Sequence, residues 1–248
     1  MIVRDEVVDL PTPTGPMRTY VYVPVAPRGR PAAFPGLVVY SEIFQQTPPI
    51  RRIALQFASQ GHVVAVPEVY HQHEPPGTVL GYDDAGKNKG NAYKQKTTLA
   101  SFDADARIAL DALKSRADCT GKLGVFGVCL GGHLAFRAAF NADVLAACCM
   151  YPTDIHSGTL GSEGRADSLA RCAAITGELL MIWGRQDPHI PVEGRLAIYQ
   201  ALHAAGVHFT WHEFNCEHAY MRDEGARYDP AAARLSYALA LDLFARNL

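Results

Sequence analysis

A cysteine framed by glycines is the first place in this chain where residue types and spacing suggest chemistry. The stretch is Gly127-Val128-Cys129-Leu130-Gly131-Gly132. Gly-x-Cys-x-Gly has the spacing of a nucleophile elbow, Gly-x-Ser-x-Gly, with cysteine at the apex. The reason for the spacing is mechanical. A strand turning sharply into a helix strains the backbone of the apex residue, and glycines two residues to either side leave room for the turn. The apex side chain then stands at a helix N-terminus, whose partial positive charge favours a thiolate. The N–H of Leu130 faces the same space and suits a developing oxyanion.

A thiol needs a base within hydrogen-bond reach, and that base needs a carboxylate to orient it. Asp187, in Gly184-Arg185-Gln186-Asp187-Pro188-His189, and His218, in Cys216-Glu217-His218-Ala219-Tyr220, are the candidates. Each follows an apolar run that reads as a strand. Nucleophile, acid and histidine also occur here in the chain order of the α/β-hydrolase triad. Glu42, in Tyr40-Ser41-Glu42-Ile43-Phe44, ends another such run. Facing Cys129, it would disfavour a second negative charge, so it could hold the thiol proton until substrate arrives, or have its own pKa raised. The N–H of Ile43 is the second expected oxyanion donor.

The elements that must position these residues follow from hydrophobic patterning. Residues 6–10 and 18–23 read as an antiparallel hairpin across a Pro/Thr/Gly turn, and residues 26–35 as a Pro/Arg loop. Continuous apolar runs at 36–40, 62–67, 122–126, 144–150 and 178–183 read as strands buried on both faces, and 207–214 alternates like a strand. Helical periodicity covers 50–59, 94–115, 134–139 and 192–205, and 230–248 forms a last amphipathic helix opened by proline. Residues 68–91 read as a long polar loop and 151–176 as a second irregular stretch, both walling the site. Alternation of strand and helix predicts one domain over 1–248, a mainly parallel sheet with helices on both faces and an N-terminal antiparallel hairpin. Ligands then bind beyond the carboxyl ends of the strands.

Composition limits the alternatives. The chain of 248 residues is 48% hydrophobic and 19% charged with a formal net charge of -2. Near-neutrality argues against nucleic acid or an anionic membrane as the main partner. No apolar run is long enough to span a bilayer, and Met1-Ile2-Val3-Arg4-Asp5-Glu6 lacks the pattern of a signal peptide. Cys119, Cys129, Cys148, Cys149, Cys172 and Cys216 show no paired metal spacing, so a reduced, cytoplasmic protein is expected. His71 and His73, near Glu68 and Glu74, also lack metal-ligand spacing. Neither metal nor cofactor is expected. His133 and Trp183 read as packing residues, and the oligomeric state is open.

Taken together, Ser41-Glu42-Ile43-Phe44, Gly127-Val128-Cys129-Leu130-Gly131-Gly132, Asp187-Pro188-His189 and His218-Ala219-Tyr220-Met221-Arg222 resemble the dienelactone hydrolase (carboxymethylenebutenolidase) family, of the α/β-hydrolase fold. The resemblance runs from the first hairpin to the last helix. It implies Cys129 as nucleophile, His218 as base, Asp187 as its orienting acid, and Glu42 as the switch between thiol and thiolate. It also implies two cations for a substrate carboxylate. Arg222 matches one. The other falls at Lys89, four residues before Tyr93, which the resemblance also makes a substrate-binding residue, with Lys87 as an alternative to Lys89; lysine keeps the charge but loses the bidentate fork. The expected reaction is hydrolysis of a small ester or lactone through an acyl-enzyme. The alternatives are neutral aryl esters or phosphoesters on the same triad, or a ligand-binding protein without turnover.

Overall fold

The hairpin comes first because alternation along β1 (Val3–Thr12) and β2 (Gly15–Pro24) gives each strand one inward face. The pair is antiparallel, with Thr12 opposite Gly15. Gly15 adopts φ +121°, a conformation open to glycine but not to side-chain-bearing residues. The computed structural model of the protein describes residues 1–27 and 33–248, so part of the loop expected at 26–35 lies outside the described residues.

The apolar runs form the parallel part of the sheet: β3 (Phe34–Tyr40), β4 (Val63–Pro67), β5 (Cys119–Val128), β6 (Val144–Met150), β7 (Glu178–Gly184) and β8 (Phe209–Phe214). The strand order is β1-β2-β4-β3-β5-β6-β7-β8. Six helices surround the sheet: α1 (Pro48–Ser59), α2 (Asp84–Lys96), α3 (Leu99–Lys114), α4 (Leu130–Ala138), α5 (Val192–Ala204) and α6 (Pro230–Asn247). On one face α1 and α6 meet through Phe57, Phe126 and Phe244, all fully buried. Truncating any of these to alanine should cost about 3–5 kcal/mol. On the other face Arg137 of α4 holds Asp103 of α3 in a two-pronged ion pair.

The chain runs outward from β3 to β4, then returns to place β5 on the other side of β3. This reversal opens a crevice at the carboxyl ends of β3 and β5, the place where open α/β sheets bind ligands. Glu42 and Cys129 are the residues that follow those two strands.

Two expected segments differ. The stretch 68–91 is not a loop throughout, because α2 begins at Asp84, with Asp83 accepting a hydrogen bond from the Gly86 N–H as N-cap. The helix expected over 94–115 is two helices. Thr97 is extended (φ -76°, ψ 134°), and Thr98 caps α3 by accepting from the Ser101 N–H. A threonine cap restarts the helix at a point where apolar periodicity alone reads straight through. Among the described residues, no helix is long and apolar enough to cross a membrane, and no group of three or more His, Cys, Asp or Glu is arranged to hold a metal ion.

Candidate active site

Cys129 sits between β5 and α4 with φ 59° and ψ -122°, well outside the usual range for a residue with a side chain. The surrounding glycines explain how the chain tolerates this. A Cβ at Gly127 would collide with the Gly131 carbonyl, and one at Gly131 with the Tyr40 carbonyl of β3. The elbow is therefore packed directly on the end of the neighbouring strand. Backbone bonds pin it further: the Cys129 N–H donates to the Met150 carbonyl at 3.1 Å, and the Thr153 N–H donates to the Cys129 carbonyl at 3.3 Å.

His218 reaches the cysteine from the loop after β8, and Asp187 from the loop after β7. His218 Nδ1 lies 2.5 Å from Asp187 Oδ2, and the Asp187 side chain is fully buried. Asp187 Oδ1 accepts the His189 N–H at 2.8 Å, so both carboxylate oxygens are occupied. The His218 ring is held edge-on by Tyr151 and His189, with centroids 5.1 Å and 4.8 Å away. A Cβ at Gly184 would stand 2.5 Å from the Cys216 carbonyl, so this glycine lets the histidine loop close down on β7. Burial opposes a charge on His218, but the adjacent Cys129 sulfur and the Asp187 carboxylate outweigh it and push its pKa up to about 10.

Glu42 is 2% exposed and follows β3. Arg222 grips it with both prongs of its guanidinium, Nη2 to Oε1 at 2.8 Å and Nε to Oε2 at 3.1 Å. The pairing, Tyr82 and the Cys129 sulfur raise the Arg222 pKa, although burial acts against it. Ile43 lies beyond the end of β3 and lines the same cavity as Cys129, and Leu130 opens α4 directly after it. Among the described residues, no backbone hydrogen bond outside the regular elements uses either N–H.

These groups border a cavity of about 630 Å³ lined by Cys129, His218, Arg222 and Ile43, among others. Lys87, Asn91 and Lys94 of α2 form another part of its wall. Lys94 is paired with Asp154 at 2.9 Å, and Asp154 also accepts the Thr159 hydroxyl at 2.6 Å. Lys89 and Tyr93 are not brought into this cavity. Both meet Glu74 instead, Tyr93 through its hydroxyl at 2.6 Å and Lys89 through an ion pair. The reason is helical geometry. Residues 87, 91 and 94 share one stripe of α2, and 89 and 93 lie on the opposite one.

Several neighbours of the site carry no motif. Tyr82, just before the α2 cap, stands over Arg222, its ring centroid 4.2 Å from the guanidinium carbon. Lys94 and Asp154 are an ion pair between segments that sequence spacing does not connect. His133, fully buried below the elbow, bonds Ser168 at 2.7 Å, and Trp183 is fully buried in β7. His71 is engaged by the hydroxyls of Thr12 and Thr14 at 3.1 and 3.0 Å.

A strained elbow after β5, an acid after β7 and a histidine after β8, on a mostly parallel sheet of this strand order, define an α/β-hydrolase. The resemblance to known proteins narrows the class. The chain belongs to the dienelactone hydrolase family, whose model matches residues 17–248. It is 40% identical over 256 residues to a Saccharomyces cerevisiae protein provisionally named a carboxymethylenebutenolidase, covering 100% of this chain and 93% of that one. It is 26% identical over 232 residues to the carboxymethylenebutenolidase of a Pseudomonas species, covering 94% and 91%. The crystal structure of a Klebsiella pneumoniae protein provisionally named a dienelactone hydrolase superposes with a TM-score of 0.84 at 21% identity, covering 99% of each chain. This protein is accordingly a hydrolase of the dienelactone hydrolase type.

Proposed function

We propose that the protein hydrolyses a small lactone or ester bearing a carboxylate, using Cys129 as nucleophile, His218 as base and Asp187 as its orienting acid. The observation that carries this reading is the strained Cys129 at the edge of the cavity, beside a histidine fixed by a buried carboxylate.

The chemistry runs in two halves. His218 Nδ1 is committed to Asp187, so the other ring nitrogen takes the thiol proton. The Cys129 sulfur attacks the lactone carbonyl carbon, and the N–H groups of Ile43 and Leu130 receive the resulting oxyanion. Collapse breaks the ring C–O bond and forms a thioester, and the leaving oxygen takes the proton from His218. Water then attacks the thioester, giving its proton to His218, and the thiolate departs as the acid product forms. In a lactone the leaving oxygen stays tethered near this water and can help to activate it.

Arg222 supports carboxylate recognition. Its fork matches a carboxylate bidentately, and in the free protein Glu42 occupies it. A substrate carboxylate that takes Arg222 releases Glu42 beside Cys129, where its charge can draw off the thiol proton and relay it to His218. Lys87 and Lys94 are the α2 cations at the cavity, in place of Lys89.

The test is steady-state and single-turnover hydrolysis of a carboxylated enol lactone and a chromogenic short-chain ester by wild type, Cys129→Ser and Cys129→Ala. Loss of activity in Cys129→Ala, together with a thioester mass adduct in quenched wild type, is the expected result. Turnover that survives Cys129→Ala would sink the nucleophile assignment.

A further inference from the structure

Tyr82 touches both members of the Glu42–Arg222 pair. Its hydroxyl lies 3.3 Å from Glu42 Oε2 and 2.7 Å from Thr47 Oγ1. The only arrangement in which the phenol donates to the ionised carboxylate has Thr47 donating to the phenol in turn, so the two hydroxyls form a chain ending on Glu42. The ring does a second job. Arg222 stacks over it at 4.2 Å, and the same ring packs edge-on against Phe44, 4.8 Å away. Phe44 lies 5.3 Å from the Arg222 guanidinium, so two aromatic rings hold the cation. At 37% exposure, Tyr82 also forms part of the cavity wall.

These contacts separate by function. Within the Glu42–Arg222 pair, the hydroxyl contacts the carboxylate and the ring contacts the cation. We propose that Tyr82 is a positioning residue that sets how readily a substrate carboxylate displaces Glu42 from Arg222: its hydroxyl retains Glu42 in the resting pair, and its ring holds the Arg222 fork in place for either carboxylate. This rests on the carboxylate-exchange reading of Arg222 given above.

The two parts act on substrate affinity with opposite signs. Glu42 competes with substrate for one guanidinium, so every contact that favours the resting pair raises the apparent KM. Removing the hydroxyl alone weakens the competitor. Removing the ring as well disorders the cation that both carboxylates need.

The experiment compares wild type, Tyr82→Phe and Tyr82→Ala on a carboxylated enol lactone and on its methyl ester. For the carboxylated lactone, Tyr82→Phe should lower KM by about three- to tenfold with kcat unchanged. Tyr82→Ala should raise KM again relative to Tyr82→Phe. On the methyl ester KM should not move in Tyr82→Phe. An unchanged or raised KM in Tyr82→Phe, or equal shifts on both substrates, overturns the proposal and indicates a merely structural tyrosine. A second readout needs no turnover. In a ligand-free crystal structure of Tyr82→Phe, Glu42 should occupy more than one position, and a Glu42 still wholly ordered on Arg222 overturns the proposal. Failure of the carboxylate-exchange premise would show separately, as a wild-type KM no lower for the carboxylated lactone than for its methyl ester.

Discussion

Asp187 and Glu42 are both buried carboxylates, each paired with a base beside one cavity, yet they are held in different ways. Asp187 is fixed on both oxygens, by the His189 backbone N–H and the His218 ring, and that ring is wedged between Tyr151 and His189. Glu42 is held by side chains, through a partly exposed Arg222 and a tyrosine on the cavity wall. A backbone-fixed pair suits a group that must keep one geometry through every step. A pair made from side chains can change partners without moving the chain. In the proposed mechanism the first arrangement serves proton transfer at a fixed point, and the second serves recognition.

The largest effect should come from breaking the fixed pair. Asp187→Asn keeps the volume, but with its oxygen held by the His189 N–H it presents its amide NH2 donor to His218 Nδ1, leaving His218 in the wrong tautomer. Ester kcat should fall by about 10³- to 10⁴-fold with KM little changed. A loss below tenfold would mean that His218 does not depend on Asp187.

Breaking the exchangeable pair should be milder and should depend on substrate. Glu42→Gln removes the charge that competes for Arg222 and also the acceptor for the thiol proton. For a carboxylated lactone, kcat should fall by about a hundredfold while KM decreases; the KM of a neutral ester should stay the same. Equal effects on the two substrates would remove the distinction between the pairs.

Titration sharpens the same contrast. The His218 pKa stands at about 10, above its ordinary value of 6.5. A raised histidine pKa means that protonation stabilises the folded state. That contribution is complete below pH 6.5 and is lost as pH rises toward about 10. Denaturation midpoints should therefore decline across this window, and the decline should be shallower in Cys129→Ala, which removes the largest raising contribution. Nitrogen-detected NMR of the imidazole should show the His218 pKa lower in that variant. An unmoved titration would separate His218 from Cys129.

The difference between the regions also decided what could be read without coordinates. The strands before Cys129 and Asp187 were legible because fully buried parallel strands are continuous apolar runs; the run at residues 178–183 matches β7 (Glu178–Gly184). Residue order then put Cys129, Asp187 and His218 at the ends of β5, β7 and β8. The recognition side was less legible because α2 is polar and contains Gly86 and Gly90, so nothing in its pattern announces a helix. Tertiary contacts secure it: a Cβ at Gly90 would stand 2.5 Å from the Ile43 carbonyl, and Lys94 reaches Asp154. The family resemblance pointed to Lys89, inside the supposed loop, and Tyr93, just beyond it. Once that segment is a helix, its other stripe faces the cavity. Glu42 was visible at its strand end, but its grip by Arg222, 180 residues away, was not.

The smallest effect tests whether the recognition side is positioned from a distance. Arg52 of α1 binds Asp223 at 2.6 Å and Glu224 at 2.7 Å, just beyond Arg222 in the chain. All three side chains are more than a third exposed or close to it, so solvent screens the pairs and the stability cost of Arg52→Ala should be under about 1 kcal/mol. The ion pairs nevertheless tie the loop carrying Arg222 to α1, whose N-cap, Thr47, supports Tyr82. Arg52→Ala should therefore raise KM for a carboxylated lactone by about twofold to fivefold, within the range of an exposed pair, and leave the methyl ester and kcat unchanged. The effect should shrink as salt is added, because the wild-type pairs are themselves screened. A KM change common to both substrates would place Arg52 in general stability and confine the exchangeable region to Glu42, Arg222 and their immediate contacts.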